Sequence, residues 1–327
     1  MTEAVGLDEG AVAADRPRDD GPRQPAYDDL PLLGDTGLPH AWDHLDHGLG
    51  SIARLGRAQR RTGAALAVVG DSISLNLTLG FIDPPLYGRA AYRHRYVTVG
   101  RNTYEDVIDD FNPQSSSQWD GLLHVRAREH GFFGGLSSFE EACQGPGVSS
   151  WSAAGISGRG VLLDVASWAA AVGVPIDPFS GHEITADDLR ACAEHQGVAL
   201  APGDILCVRT GWVAAYRQLT AQQRTDAGSL SAGLRGDANS ARFVWDNELA
   251  AICADNPALE CTPGDPAVGS LHRRLIPLLG TAVAELLDLD RLAQRCSELA
   301  RWEFLFVAVP MPLPGGVSSP ANALAML

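Results

Sequence analysis

The stretch Gly155-Ile156-Ser157-Gly158-Arg159-Gly160-Val161-Leu162-Leu163-Asp164-Val165 carries glycines at a spacing that superficially suggests a nucleotide loop. A dinucleotide loop, however, follows its strand and opens a helix, whereas these glycines precede the apolar run. The order reads as a turn leading into a strand over Val161–Val165, with no nucleotide cofactor. Working outward, the short apolar runs Ile73–Leu77, Ile205–Arg209 and Phe304–Val309 have the same strand character. Between them lie helical patterns. Thr185 is placed to cap a helix, with Asp188 three residues on, Leu189 and Ala193 at i, i+4 spacing, and Gly197 to end it. Leu271–Leu279 forms a second pattern and Leu289–Leu299 a third, with Asp288 or Asp290 as its cap. Residues 220–240 are polar and glycine-containing and read as a surface excursion, and Pro310–Pro320 as a loop wrapping across the body. Strands and helices interleave without the strict alternation of a doubly wound sheet. That predicts a single mixed α/β domain over 27–327, preceded by a disordered tail over 1–26.

Composition narrows the function. The 327 residues carry 40 acidic and 25 basic side chains, a net charge of −15, which repels the phosphates of nucleic acid and of anionic membranes. No run approaches the roughly 18 apolar residues of a membrane span. The first 26 residues lack the apolar core of a secretory signal, so the expected compartment is the cytoplasm. Every basic residue is arginine, which removes Schiff-base chemistry, a P-loop lysine and a lysine general base. The cysteines Cys143, Cys192, Cys207, Cys253, Cys261 and Cys296 include no C-x-x-C pair, so they read as buried apolar residues and not as a structural zinc site.

The chemistry is concentrated in Asn112-Pro113-Gln114-Ser115-Ser116-Ser117-Gln118-Trp119-Asp120-Gly121-Leu122-Leu123-His124. Serines and proline disfavour helix here. If the segment is extended, the even-numbered Gln114, Gln118, Asp120 and His124 share one face: a carboxylate, an imidazole and two amides. Those are the ingredients of a metal or acid–base site. They are also those of a polar strand face in water with Trp119 packed beneath. Trp42, Phe132 and Phe133 are candidate pocket aromatics. His40, His44 and His47, irregularly spaced near the tail, read as surface residues.

From Tyr27 onward the chain resembles the cyclase family, whose best-known members are bacterial kynurenine formamidases. The resemblance is carried by Tyr27-Asp28-Asp29-Leu30-Pro31, Ser115-Ser116-Ser117-Gln118-Trp119-Asp120-Gly121-Leu122, Gly158-Arg159-Gly160-Val161-Leu162-Leu163-Asp164, Arg209-Thr210-Gly211, Asp255-Asn256-Pro257-Ala258, Leu271-His272, Glu285-Leu286 and Pro314-Gly315-Gly316-Val317-Ser318-Ser319-Pro320. It implies a swivelling β/β/α-type core, a homodimer and a small-molecule substrate. Formamidase-type members carry H-x-G-T-H-x-D-x-P-x-H, completed by a His and a Glu near the C-terminus, and bind two divalent ions. Aligned on Asp120, the first two histidines become Gln114 and Gln118, while Asp120, His124, His272 and Glu285 are kept. The resemblance is therefore closest to a Q-W-D-G branch.

Amide oxygens are neutral and weaker ligands than imidazole. The implied set of Asp120, His272 and Glu285, with Gln118 beside them, could hold one hard or borderline ion, Mn²⁺, Zn²⁺ or Mg²⁺. His124 is the expected acid/base, with Asp120 and Glu285 as its catalytic companions. Gln114, Gln118, Trp119 and Arg209 are the expected substrate contacts. The implied reaction is hydrolysis, or the reverse ring closure, at an amide, lactam or lactone carbonyl. Two other readings stay open at this level: a metal-free cyclase or dehydratase acting on a natural-product intermediate, and a binding protein that keeps the pocket without the chemistry.

Overall fold

Thirteen strands occur among the residues described in this computed structural model, 24–145 and 147–327. They are β1 (Ser72–Ser74), β2 (Arg93–Gly100), β3 (Thr103–Asp109), β4 (Gln118–Asp120), β5 (Ile156–Leu163), β6 (Glu183–Ile184), β7 (Ile205–Val208), β8 (Gly233–Leu234), β9 (Ala251–Ala254), β10 (Ala282–Glu285), β11 (Glu303–Ala308), β12 (Ser318–Pro320) and β13 (Ala323–Met326). Nine of them form one sheet in the order β1-β13-β11-β5-β7-β9-β10-β4-β12. The central strands β5, β7, β9 and β10 run parallel, and the strands outside them are antiparallel to their neighbours.

The sequence explains this division. β7 and β9 are apolar throughout, and β10 is apolar up to its last residue, Glu285; all three are buried at every residue, as parallel strands covered on both faces must be. Along β11 buried and half-buried residues alternate, the signature of a strand with one wetter face. Alternate residues of one strand feed two separate cores. Leu162 and Cys253 pack with Trp119, Trp151, Phe304 and Phe306 on one side. Val161, Leu163 and Ile252 pack with Leu189, Val244 and Trp245 on the other. Gly160 lies where the Phe304 ring covers the strand, and a Cβ there would come within 2.4 Å of it.

β12 and β13 lie two residues apart in the chain yet sit near opposite ends of the strand order. The sheet therefore curls until its ends approach each other. Ala321, in the link, donates its N–H to the Ser117 carbonyl and accepts from Trp119 Nε1, pinning the seam beside β4. The mixed α/β domain expected from the sequence is thus present. Among the described residues no helix is long and apolar enough to cross a membrane.

Several local expectations hold and others need correction. The helix Ala186–Gln196 has a full capping box between Thr185 and Asp188 and ends at Gly197 in the left-handed region, φ 66°. The helix Asp290–Leu299 forms, but its cap residue Leu289 makes no side-chain cap bond. Asp288 and Asp290 instead accept hydrogen bonds from Arg217, and Asp290 also accepts from Arg209. The pattern at Leu271–Leu279 is one α-turn, Leu271–Arg273, running into a wider π-type turn that accommodates Pro277. The excursion over 220–240 is only partly on the surface. Ser231–Leu234 is buried, because Asn256 donates to the Ala232 carbonyl and β8 pairs with β6. Residues 1–23 of the expected tail lie outside the described residues. Gln24 and Pro25 are anchored, through Gln24 to the Trp245 carbonyl and Trp245 Nε1 to the Pro25 carbonyl.

Candidate metal and acid–base site

The site begins with register. β4 is antiparallel to β10, with Gln118 opposite Glu285 and Asp120 opposite Val283. Residues opposite each other share a face, as do residues two apart, so Gln118, Asp120 and Glu285 project together. Trp119 projects to the other side, fully buried against Trp151 and Phe306. The extended arrangement imagined over the whole of 112–124 is confined to these three residues of β4. Gln114 sits in a short turn, Pro113–Ser115, held by the Asn112 side chain, and His124 follows a second turn closed by His124 N–H to the Gly121 carbonyl. Both turns fold back onto β4.

The result is one hydrogen-bonded network. The Gln114 amide nitrogen lies 2.8 Å from Asp120 Oδ1, and 3.2 and 3.4 Å from the two ring nitrogens of His124. Gln118 Nε2 donates to Glu285 Oε2 at 2.7 Å. His272, carried on the Leu271–Arg273 turn, places Nε2 2.9 Å from Glu285 Oε1 and Nδ1 2.8 Å from Glu260 Oε1. Asp120 Oδ2 lies 3.8 Å from Nε2 of both His124 and His272, beyond hydrogen-bond reach. All six residues singled out in the sequence for the centre of the site (Gln114, Gln118, Asp120, His124, His272, Glu285) therefore converge.

Burial and mutual charge set the protonation. Burial pushes the His272 imidazolium down, but the nearby Asp120 carboxylate and the hydrogen bonds to Glu260 and Glu285 together outweigh it and hold its pKa well above 6.5. Burial and then the Asp120 charge raise Glu285 to about 7. Asp120 and Glu260, also opposed by burial, end below the ordinary carboxylate values because each faces His272. His124 is lowered, first by burial, with His272 and Arg89 adding to the effect. It is therefore neutral at neutral pH.

The residues fit a single cation. One donor atom each from Asp120, His272 and Glu285 can be chosen so that all lie within 4.8 Å of one another. Buried in the same place, Asp120 Oδ2 and Gln118 Oε1 have no hydrogen-bond partner. Orphaned buried oxygens are rare and costly, and a cation satisfies both their charge and their lone pairs.

Other expectations are corrected. Trp119 contributes nothing to the site, since its Nε1–H is spent on the Ala321 carbonyl within the core. Arg209 is not a substrate contact either: it is held between Asp164 and Asp290, at 2.9 and 3.0 Å. Phe133 is core, and Trp42 donates to the Pro277 carbonyl away from the site. Glu260 was not visible in the sequence. It accepts from Ser270 Oγ and from the backbone N–H groups of Leu271 and His272 as well as from the ring, so it fixes both the turn and the imidazole. It lies in a loop with no periodicity to mark it.

Over the network opens a cavity of about 560 Å³, walled by Tyr87, Arg89 and the loop 257–270 and lined also by His124, Glu260, His272 and Glu285. That volume suits a small organic molecule.

A family model described as "putative cyclase" matches residues 73–261. The crystal structure of a protein described as a novel cyclase superposes with a TM-score of 0.75 at 26% identity, covering 88% of this chain and 99% of that one. An isatin hydrolase bound to the product analogue thioisatinate gives 0.54 at 14% identity, over 79% and 92% of the two chains. Isatin hydrolase A from Labrenzia aggregata, bound to benzyl benzoate, gives 0.53 at 17%, over 79% and 93%. At these identities the isatin hydrolases show a shared fold alone. No curated protein matches the chain.

Proposed function

Because the chain belongs to the "putative cyclase" family, we propose that it hydrolyses, or in reverse closes, an amide, lactam or lactone bond with the help of one divalent ion. The observation that carries this is the pair of unpartnered buried oxygens, Asp120 Oδ2 and Gln118 Oε1, beside the donor atoms of His272 and Glu285. Asp120, His272 and Glu285 would hold the ion, with the Gln118 amide oxygen as a neutral fourth donor. A bound divalent ion supplies polarisation of the carbonyl and acidification of water.

The chain's own groups do the rest. Glu260 fixes the ring orientation of His272 through Nδ1, leaving Nε2 directed at the Glu285–Asp120 side. Gln114 bridges Asp120 Oδ1 and His124, which steers the imidazole against the floor of the cavity. His124, neutral and half-exposed to the cavity, exchanges a proton with the reacting group through one ring nitrogen. The apolar cores on both sides of the sheet hold β4 and β10 rigid beneath these groups.

The test is steady-state hydrolysis of a cyclic amide such as isatin and of a lactone such as dihydrocoumarin. Chelator-treated protein is assayed before and after Mn²⁺ or Zn²⁺ is restored. Turnover of at least one is expected to return with the ion. N-formylkynurenine is expected to react far below the ~10 per second of an ordinary enzyme, since imidazoles are replaced at Gln114 and Gln118. Turnover that survives exhaustive chelation would overturn the reading.

A further inference from the structure

Arginines from three separate segments meet around the cavity: Arg89 after the Leu86–Gly88 turn, Arg128 in the Arg128–His130 turn, and Arg273 next to His272. Their state differs from that of the arginines this acidic chain holds between carboxylates. Arg159, Arg209 and Arg217 are each held by two carboxylates. Among the described residues the side chains of Arg128 and Arg273 have neither hydrogen bond nor ion pair. Arg89 spends one N–H on the Gln114 carbonyl, at 2.5 Å, and rests on the Tyr87 ring. Arg128 is held with φ 51°, a left-handed backbone that an arginine adopts only when the surrounding turn imposes it. The other acid on the cavity wall, Asp265, accepts from the Ala267 N–H.

A second cavity of about 310 Å³ adjoins the first, and the two share Gly269, Ser270, Arg128 and Arg273 in their walls. Its far side is apolar, formed by Leu33, Leu38 and Leu278, and its one carboxylate, Glu129, lies 3.4 Å from His130. The order along the groove is therefore reactive floor, unpaired guanidinium pair, apolar recess. We propose that the substrate is an amphipathic carboxylate, with its anionic group seated on Arg128 and Arg273 and its apolar end in the recess. Its reacting carbonyl then reaches back to the floor, and Arg89 lies alongside the path between. Guanidiniums match a carboxylate in bidentate geometry, which specifies orientation as well as charge. They also let an anion approach a floor of carboxylates in a chain of net charge −15.

The assignment rests on reading this cavity as the place of reaction, but its test needs no turnover. Binding of 4-phenylbutyrate and of 4-phenylbutanol is measured by calorimetry on wild type, Arg128→Met and Arg273→Met. Each protein is examined both chelator-treated and Mn²⁺-loaded, with melting curves to verify folding. The carboxylate is expected to bind about tenfold more tightly than the alcohol in both forms of the wild type. Either substitution should remove most of that preference, while Arg273→Lys keeps part of it. A preference that disappears with chelation yet survives both methionine variants would place the carboxylate on the ion and overturn the arginine seat. Equal binding of the two probes, or binding of neither, would overturn it as well. Hydrolysis could fail under every condition without changing these outcomes, so the two readings fall separately.

Discussion

The two faces of β4 make opposite use of burial. Trp119 on one face is completely enclosed, and its single polar atom has a partner in Ala321. Gln118 and Asp120 on the other are equally enclosed, yet each leaves an oxygen unpartnered. The apolar face closes the seam of the curled sheet and contributes stability. The polar face carries a desolvation cost that its hydrogen bonds to Glu285 and Gln114 offset only in part, and proteins keep such costs where function needs them. Neighbouring residues of one short strand thus separate folding from chemistry.

The comparison can be broken by substitutions on each side. His124→Ala, on the polar side, should lower the maximal rate about 10²–10⁴-fold while the melting temperature barely moves, because the ring is half-exposed and its truncation opens onto the cavity. Parallel kinetics and melting curves decide it, and a stability loss that accounts for the activity loss would make His124 a structural residue. Trp119→Ala should behave in the opposite way, costing about 3–5 kcal/mol of stability, with ion affinity of the surviving folded fraction little changed. Loss of ion binding at unchanged stability would show that the two faces are not separable.

How far the sequence reached follows from the range of each signal. The helix Ala186–Gln196 was legible because capping residues and a terminal glycine act over a few residues. Gln118 and Asp120 were legible from strand parity, and the same parity applied to Trp119 places it on the opposite face, where it lies. Its assignment to substrate ignored that rule. Gln114 and His124 reach the site for a different reason than parity, through turns at either end of a three-residue strand. Arg209 misled because its partners, Asp164 and Asp290, lie 45 and 81 residues away and nothing local announces them. Glu260 was invisible for the same reason. It is a loop carboxylate whose role exists only once β9 and the His272 turn are brought together. His272 and Glu285 became visible through the family resemblance, not through spacing.

The central claim is that the polar face of β4 is completed by one divalent ion. It is tested most directly by elemental analysis of protein purified without chelator or affinity-resin metal, paired with melting curves of wild type and Glu285→Gln with and without chelator. The account predicts one ion per chain and a wild type destabilised by chelation. At free ion 100-fold above Kd, the difference corresponds to about 2.7 kcal/mol. In Glu285→Gln, which lacks one of the two carboxylates that hold the ion, chelator should make little difference. A wild type that retains no ion and melts identically with and without chelator would contradict the account.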